Sequence, residues 1–386
     1  MKIGLFIDTF YPMVDGVIKV VDNYARELSK TDDVTVFCPL TDKNVQLELP
    51  YKIVPCRMMP WPKTDYGIPM PAFSPAFKKA LKESDLDVVH IHSPFTVGRQ
   101  GLKYAKKHNI PSVATIHSQF DQDIAKSVKR GGLFFKIALG YIFKTFESVD
   151  KLYAVNKITG EHFNKDLGLK KECEVLPNAS VILPVIDPLK AEKLVNDRFK
   201  IKEGQSVYLF VGRLDFIKNL DFLIRAIAVL KERGRDFKML FVGEGHDHAA
   251  LSSLVCKLGL SENVTFCGKI TEKHVLAAVY ERAKLFLFPS LYDSSSLVQI
   301  EAAGQKTPTV FIKGSITSST TTDNVNAFLS DNDPTAFAEK IIQIENDDEL
   351  YKKVQEGAKR DLFITWEQAI KNVREIYEQA IDQAKR

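Results

Sequence analysis

The sequence contains few cysteines, and none of them stands in a metal-binding or disulfide arrangement. The five are scattered along the 386 residues, at Cys38, Cys56, Cys173, Cys256 and Cys267. An odd number without a CxxC pair indicates neither a zinc site nor a disulfide framework. We therefore expect reduced, buried cysteines, as is usual for a cytosolic protein.

Long apolar runs and a strong excess of charge are also missing. No apolar stretch reaches the roughly 18 residues of a membrane span. The first residues, "MKIGLFIDTF", form an apolar run that Asp8 interrupts, which is too short for a signal peptide and predicts a first strand. A net charge of +4 over 386 residues does not indicate nucleic-acid binding.

What the chain does contain is a repeated alternation of strand-like and helix-like segments. The strand pattern "QSVYLFVGRL", for example, precedes the amphipathic "NLDFLIRAIAVLKERG". Such alternation predicts parallel sheets with helices on both faces. The alternation pauses at the proline-containing "VILPVIDPLK" and then restarts. We expect an α/β protein of two doubly wound, Rossmann-like domains, residues 1–184 and 185–365, with a helix over 366–386 that packs back on the first.

In open parallel sheets ligands bind beyond the carboxyl ends of the strands, so the loops after strands are candidate sites. One such loop, in "FVGRLDFIKNLDFL", contains Arg213 and Lys218. Two cations there suit an anion, because the nearby helix N-terminus adds a positive dipole end. A pair of exposed surface cations is the alternative, and spacing alone does not decide between them.

A second loop of this kind is "LYDSSSLVQIEAAG", residues 291–304. Three serines, Ser294 to Ser296, precede a helix that begins near Leu297, and they could present N–H groups to an anion or simply cap the helix. Glu301 lies inside this helix. It could accept hydrogen bonds from a ribose diol, as an acid does in dinucleotide folds, or it could be a solvated surface carboxylate.

The order and spacing of several segments resemble one enzyme family. The second half contains "VGRLDFIKNLDFLI", "VGEG", "VTFCGKI" and "FPSLYDSSSLVQIEAAGQKTPTV", and the first half contains "DTFYPMVDGVIKVVDNYARELSK", "DVVHIHSPF", "TIHSQFDQD" and "VLPN". Together they span nearly the whole chain and resemble the retaining glycosyltransferases of family four, closest to the diacylglycerol and phosphoinositol glycosyltransferases. The resemblance implies the GT-B architecture, in which two Rossmann-like domains face each other across a cleft.

The resemblance also implies how a sugar nucleotide would be held. Arg213 and Lys218 would bind its diphosphate, and Glu301 would bind its ribose. The phosphates would also be cradled by the backbone of Ser295, Ser296 and Leu297. Fixed cations and N–H dipoles stabilise the charge that develops on the leaving oxygens when the sugar–diphosphate bond breaks. Catalysis would therefore need no metal or other cofactor, and the family implies retention of configuration by front-face attack.

Three further residues would act on the donor by the same resemblance. Asp293 would contact hydroxyls of the donor sugar, and His117 would meet this sugar near its reacting carbon. Gly16, in the loop after the first strand, would let the backbone approach the diphosphate closely. The family usually has Glu in place of Asp293 and Gly-Phe-Gly in place of Ser294 to Ser296. These departures leave the donor sugar open, with UDP-glucose favoured.

His90 and His92 alternate along the strand-like "DVVHIHS" and therefore face the same side. A metal-binding pair is one interpretation, although no third ligand is near in sequence. The favoured interpretation is that both line the acceptor side of the cleft.

Residues 126–144, "KSVKRGGLFFKIALGYIFK", combine basic and apolar side chains without an acidic one. The basic residues are Lys126, Lys129, Arg130, Lys136 and Lys144. Such a segment can lie in a bilayer interface, with its basic residues against anionic lipid. A core-facing helix with solvated lysines is the alternative.

These features predict a cytoplasmic hexosyltransferase, peripheral on the inner face of the cell membrane. Its expected partners are a nucleotide sugar and a lipid or glycan acceptor, with diacylglycerol the favoured acceptor and no nucleic acid. One alternative is a soluble transferase that extends a polysaccharide or a small glycoside. Another is a degenerate member that binds a sugar nucleotide without turning it over.

Overall fold

The structure is a computed structural model that describes residues 1–13, 15–40, 48–59 and 67–385. The chain forms two compact units, one of Met1–Asn178 with Trp366–Arg386 and one of Ala179–Thr365. The division after Asn178 lies six residues before the predicted one after residue 184. Ser180 accounts for its position, because its N–H donates to the carbonyl oxygen of Ile364 at 2.9 Å and so ties it to the end of the second unit.

The first unit is built on a parallel sheet. Its strands are β1 Lys2–Phe6, β2 Asp33–Pro39, β3 Lys52–Cys56, β4 Met58–Met59, β5 Ile68–Pro69, β6 Val88–Ile91, β7 Ser112–Ile116, β8 Lys151–Ala154 and β9 Glu174–Val175. Within the described residues, seven of these form one sheet in the order β3-β2-β1-β6-β7-β8-β9, while β4 and β5 pair with each other. The helices between the strands are α1 Gly16–Leu28, α2 Pro75–Lys82, α3 Thr96–His108, α4 Phe120–Ala125, α5 Leu133–Phe146 and α6 Lys157–Glu161.

The second unit repeats this plan. Its helices are α7 Pro188–Phe199, α8 Leu220–Glu232, α9 His248–Lys257, α10 Lys273–Arg282, α11 Leu297–Gly304, α12 Pro334–Glu345 and α13 Asp348–Leu362. Its strands are β10 Ser206–Val211, β11 Phe237–Val242, β12 Val264–Gly268, β13 Leu285–Phe288, β14 Thr309–Ile312 and β15 Phe328–Ser330. They form a parallel sheet in the order β12-β11-β10-β13-β14-β15 in the described part of the chain. The final helix, α14 Trp366–Ala384, belongs to the first unit.

The strand order explains why the sequence pattern was informative. In each sheet the first strand, β1 or β10, is central, and the order reverses beside it, as in Rossmann-like folds. Central strands of such sheets are buried on both faces and read as continuous apolar runs, and all four residues of β6 and of β13 are buried. The α/β prediction is confirmed. Ligands bind such sheets beyond the carboxyl ends of the strands beside the reversal, so the loops after β1, β6, β10 and β13 are the first places to look.

Two sequence expectations about the chain as a whole can be compared with the structure. All five cysteines are free thiols, but only Cys38 and Cys56 are buried, and Cys256 is exposed. The expected burial is therefore wrong for Cys256. Among the helices described, none has the length and apolar character needed to cross a bilayer.

Candidate active site

The loop after β10 contains Arg213 and leads through a 3₁₀ turn, Phe216–Lys218, into α8. This loop packs against the loop after β11. A side chain at Gly243 would place its Cβ atom 1.9 Å from the carbonyl oxygen of Gly212, so only glycine fits there. The close approach of the two backbones holds the start of the cationic loop against the ends of the strands.

Lys218 forms an ion pair with Asp293. Its Nζ lies 2.5 Å from Oδ1 of the carboxylate, and both side chains are mostly buried. β10 and β13 pair in parallel, which brings together the loops that follow them. Asn219 adds a second link, since its side-chain amide donates to the carbonyl oxygen of Pro289 at 3.2 Å. The structure thus joins Lys218, which is predicted to bind phosphate, to Asp293, which is predicted to bind the sugar. Sequence reasoning missed this contact.

Arg213 is more accessible than Lys218. Its Nε lies 3.6 Å from Oδ2 of Asp215, and the side chain is half-exposed. Asp215 is itself held in place, because its Oδ1 accepts a hydrogen bond from the N–H of His246 at 3.0 Å. A guanidinium presents donors in a planar fork that suits phosphate oxygens. The arrangement orients Arg213 while leaving it at the surface of the unit.

The serine loop leads into α11 as predicted, with Leu297 as the first helical residue. Ser296 is the N-cap, with an extended backbone (φ −90°, ψ 129°), and its side chain makes no cap hydrogen bond. Among the described residues, Ser294 and Ser295 also stay outside the left-handed region, so serine can stand where the family has glycine without backbone strain. The first N–H groups of a helix have no intrahelical partner and attract anions. The capping interpretation is therefore not supported for the Ser296 side chain.

Glu301 is anchored rather than simply solvated. Its Oε2 accepts a hydrogen bond from the hydroxyl of Tyr280 at 3.0 Å. Tyr280 lies on α10 and is fully buried. Its burial, and to a smaller extent the nearby charge of Glu301, raises the pKa of Tyr280 well above the usual value. The phenol therefore remains protonated and can donate to the carboxylate. Tyr280 therefore supports Glu301, and sequence reasoning missed this residue.

His117 follows β7 in the first unit and is 8% exposed. Burial lowers its pKa to about 3, so the imidazole is neutral near pH 7. Its Nε2 lies 3.0 Å from Nδ1 of His92. The structure therefore gives His117 a hydrogen-bond partner from the end of the neighbouring strand, β6.

The rings of His90 and His92 lie on the same side of the sheet, 4.0 Å apart, but His90 does not line an acceptor surface. His90 is fully buried, with its Nδ1 2.6 Å from the Tyr377 hydroxyl and its Nε2 2.8 Å from Oγ1 of Thr115. The predicted acceptor-side position is wrong for His90, because α14 places Tyr377 against it, which the local sequence of β6 cannot show. Both His90 nitrogens are engaged, and in the described ranges no three His, Cys, Asp or Glu side chains form a group that could hold a metal.

Gly16 is the first residue of α1 rather than a loop residue. Asp15 starts the helix earlier than the apolar pattern predicts, because its Oδ1 accepts a hydrogen bond from the N–H of Ile18 at 2.8 Å. A Cβ at Gly16 would meet no atom within 4 Å. The backbone there borders open space, and its N–H belongs to the first turn of the helix.

Helix α5 is apolar on two sides. One side packs into the core and consists of Phe135, Leu139, Ile142 and Phe146. The other side, which we call the α5 surface, consists of Leu133, Phe134, Ile137 and Tyr141, with exposed fractions of 71%, 73%, 59% and 40%. A core-facing helix with solvated lysines accounts for the first side only.

The basic residues near α5 are not equivalent. Lys126 pairs with Asp123 at 2.7 Å, and Arg130 pairs with the buried Asp121 at 2.9 Å. Their charges are therefore partly compensated within the unit. Lys129, Lys136 and Lys144 form no ion pair with any described residue, and they remain to meet an anionic surface.

Two family models match this chain. The model described as Glycosyltransferase Family 4 matches residues 14–179, and the one described as Glycosyl transferases group 1 matches residues 193–361. The chain belongs to glycosyltransferase family four. The predicted family is thus confirmed by matches in both units of this family-four glycosyltransferase.

The curated relatives include enzymes named for lipid and inositol acceptors. An alpha-monoglucosyldiacylglycerol synthase of Streptococcus pneumoniae is 28% identical over 316 residues, covering 80% of this chain and 70% of the relative. A D-inositol 3-phosphate glycosyltransferase of Salinispora arenicola is 30% identical over 208 residues, covering 50% of this chain and 46% of the relative.

Solved structures share the fold of this family-four glycosyltransferase. The sucrose-phosphate synthase of Thermosynechococcus elongatus matches with a TM-score of 0.80 at 22% identity over 99% of both chains. Anabaena HepE, in a complex with UDP and glucose, matches with a TM-score of 0.78 at 17% identity over 98% of this chain and 99% of its own. The GT-B fold prediction is confirmed.

Proposed function

We propose that this family-four glycosyltransferase is a retaining, metal-independent hexosyltransferase that transfers glucose from UDP-glucose to diacylglycerol at a membrane surface. The name of the Streptococcus pneumoniae relative supports the acceptor, and the HepE complex with UDP and glucose supports the donor. The observation that carries the donor assignment is the set of groups after β10 and β13: two cations, a helix N-terminus and an anchored carboxylate. The proposed location is cytoplasmic, on the inner face of the membrane.

The diphosphate is the ligand that this set fits best. Arg213 and Lys218 supply positive charge, and the N–H groups of Ser295, Ser296 and Leu297 add the positive end of the α11 dipole. An ammonium has three donors, so Lys218 can pair with Asp293 and still bind phosphate oxygens. Groups that are held in place before the reaction stabilise the leaving diphosphate without reorganising. The backbone of Gly16 contributes a further N–H donor to the diphosphate.

The remaining residues bind the nucleoside and the sugar. Glu301, oriented by Tyr280, accepts hydrogen bonds from the ribose hydroxyls. Asp293, held by Lys218, reaches hydroxyls of the sugar. A neutral His117 near the reacting carbon forms hydrogen bonds without opposing the positive charge that develops there in an oxocarbenium-like transition state.

The reaction exchanges one bond at the anomeric carbon for another. The bond from this carbon to the phosphate oxygen breaks, and its electron pair leaves with UDP. The acceptor hydroxyl oxygen forms the new bond on the same face, and its proton passes to the departing phosphate oxygen. Configuration is thereby retained with no covalent enzyme intermediate.

The α5 surface supports the membrane part of the proposal. Three of its members, Leu133, Phe134 and Ile137, are more than half exposed. Exposed apolar side chains beside Lys136 and Lys144 fit the boundary between acyl chains and anionic headgroups. The occupant we propose for this surface is therefore an anionic bilayer.

The deciding experiment measures release of nucleoside diphosphate from uridine, guanosine and adenosine diphosphate sugars, with and without diacylglycerol vesicles. We expect release from UDP-glucose that rises sharply when vesicles are present. Slow release that is indifferent to vesicles would contradict the lipid acceptor and favour a soluble one. Binding of UDP without release from any donor would contradict turnover and favour a degenerate member.

Substitution of the α5 surface tests the membrane contact separately. Replacing Phe134 and Ile137 by serine should weaken sedimentation with anionic vesicles by about tenfold or more, since burying one large apolar side chain contributes about 1.5–3 kcal/mol. UDP binding should be unchanged. The matched control is Val185→Ser, which removes an almost fully exposed apolar side chain in the second unit. Equal loss in the control, or no loss in the double variant, would rule out this surface as the contact.

A further inference from the structure

His92 and His117 meet where two neighbouring strands end. β6 and β7 pair in parallel, and the two histidines follow them directly. Nδ1 of His92 lies 3.0 Å from Nε2 of His117, and the ring planes differ by 19° with centroids 5.2 Å apart. The contact is a hydrogen bond between two imidazoles.

We propose that His92 is a positioning residue for His117, engaging Nε2 of that ring so that only Nδ1 of His117 can contact a donor sugar. This role rests on the proposed function, in which His117 meets the sugar. It assigns a residue that does not touch substrate and names the atom through which His117 acts.

The hydrogen-bonding capacity of imidazole supports this assignment. A neutral ring has one donor nitrogen and one acceptor nitrogen. Whichever histidine donates, the contact engages Nε2 of His117 and leaves Nδ1 with the opposite role. Burial lowers the pKa of His92 well below its usual value and that of His117 to about 3, so both rings are neutral near pH 7.

The outer nitrogen of each ring gives the second line of support. Nδ1 of His117 and Nε2 of His92 are buried, and neither has a hydrogen-bond partner among the described residues. A buried polar nitrogen without a protein partner still needs a hydrogen bond, which a bound molecule or a water can supply. For His117, a sugar hydroxyl would supply that partner.

The surroundings of His92 prevent it from turning away. Tyr24 packs edge-on against its ring at 5.3 Å, and the His90 ring lies 4.0 Å away on another side. His90 is fixed by complete burial and by its hydrogen bond to Thr115. His92 is therefore a rigid support, and a displacement of about 1 Å near reacting groups can cost a hundredfold in rate.

Three variants test the role. His92→Phe keeps an aromatic ring but removes the hydrogen bond, while His92→Asn can place an amide group near the former Nδ1. Tyr377→Phe is the matched control, because it removes one buried hydrogen bond from His90 and none from His117. The readouts are kcat and KM for UDP-glucose, thermal stability, and the ¹⁵N shifts of the His117 ring in histidine-labelled protein.

We expect His92→Phe to lower kcat by about tenfold to a hundredfold, as misplacement of a reacting group does, with little change in KM. His92→Asn should recover most of this loss, and Tyr377→Phe should keep near wild-type kcat. The Nε2 shift of His117 should change in His92→Phe and stay constant in Tyr377→Phe.

A parallel fall of kcat and stability in His92→Phe and Tyr377→Phe would overturn the proposal, because it would show a structural role alone. An unchanged His117 Nε2 shift in His92→Phe would also overturn it. The ¹⁵N measurement does not depend on turnover, so it separates failure of this inference from failure of the proposed function. Should the wild type transfer no sugar, a shift confined to the His92 variants would still support positioning of His117.

Discussion

The two units share a strand plan but differ in the charge state of the residues at the ends of their strands. In the second unit the candidate residues follow the two strands beside the reversal of strand order, and in the first they follow β6, which is beside it, and the next strand, β7. In the first unit these loops hold neutral, buried imidazoles, His92 and His117. In the second they hold a charged pair, Lys218 and Asp293. The topology therefore supplies a place for a ligand, and the side chains decide which charge it can have.

The charge state of each group of residues has a physical cause. Burial disfavours the charged form of an imidazole, so the histidines lose their charge. Lys218 and Asp293 compensate one another, which is what permits ions in a mostly buried place. A leaving diphosphate needs fixed positive charge, whereas a carbon that becomes positive is better met by a neutral group. Each unit therefore has the electrostatic character that suits the group proposed for it.

The largest expected effect comes from removing the cation of the second unit. Lys218→Met should lower kcat/KM for UDP-glucose by about a thousandfold, the upper range for losing one preorganised donor. It should also lower the melting temperature, because Asp293 would lose its ion pair with Lys218. The matched control is Lys231→Met, an exposed lysine of α8 whose loss should leave activity unchanged.

The double variant Lys218→Met with Asp293→Asn separates the two consequences. It should recover stability, since no uncompensated carboxylate remains, and should not recover activity. Recovery of activity together with stability would contradict a direct role for the cation.

The second effect concerns the ribose ligand. Glu301→Gln should weaken UDP binding by about tenfold or more, because a hydrogen bond to a charged group contributes about 1.5–3 kcal/mol. Calorimetry should compare UDP with its 2′,3′-dideoxy form. The wild type should prefer UDP, and the variant should lose most of that preference. A variant that discriminates as well as the wild type would remove Glu301 from the ribose site.

A fall in pH should destabilise the first unit more than the second. The folded-state pKa values of His90, His92 and His117 lie below the value of 6.5 for an unfolded histidine. The unfolded chain therefore binds more protons below that pH, and the first unit should lose stability as pH falls from 6.5 toward about 3, where the His117 value lies. Asp8 and His162 act in the opposite sense, because burial raises the pKa of Asp8 to about 6 and the hydrogen bond to Asp121 raises the pKa of His162, but they are two groups against three.

Hydrogen exchange, corrected for the intrinsic pH dependence of exchange, would measure this. Protection of β6 and β7 should fall before that of β10 and β13 between pH 7 and pH 5. His117→Gln should reduce the pH dependence of the first unit. Simultaneous loss of protection in both units would contradict the comparison.

The smallest effect compares two helix caps. Asp15 caps α1 and Asp333 caps α12, each accepting an N–H at 2.8 Å and 2.9 Å respectively. Replacing either by alanine should cost about 1 kcal/mol of stability. Only Asp15→Ala should also weaken UDP-glucose turnover, since Asp15 orients the first turn that contains Gly16. Equal turnover in the two variants would argue against the role of Gly16.

Local sequence determined a large part of this protein. The apolar strands, the amphipathic helices and the cations after β10 follow from periodicity and spacing over a few neighbouring residues, and α11 begins at Leu297 as its pattern predicts. The boundary between the units and the start of α1 shifted by only a few residues. These features were predictable because they depend on short-range geometry.

Tertiary structure alone decided which of these residues touch. Lys218 meets Asp293 across 75 positions, Glu301 meets Tyr280 across 21, and His90 meets Tyr377 across 287. Parallel strands are joined by long crossovers, so loops that are adjacent at the end of a sheet come from distant parts of the chain. Periodicity shows which way a side chain faces, but the register of the strands and the return of α14 determine what it faces.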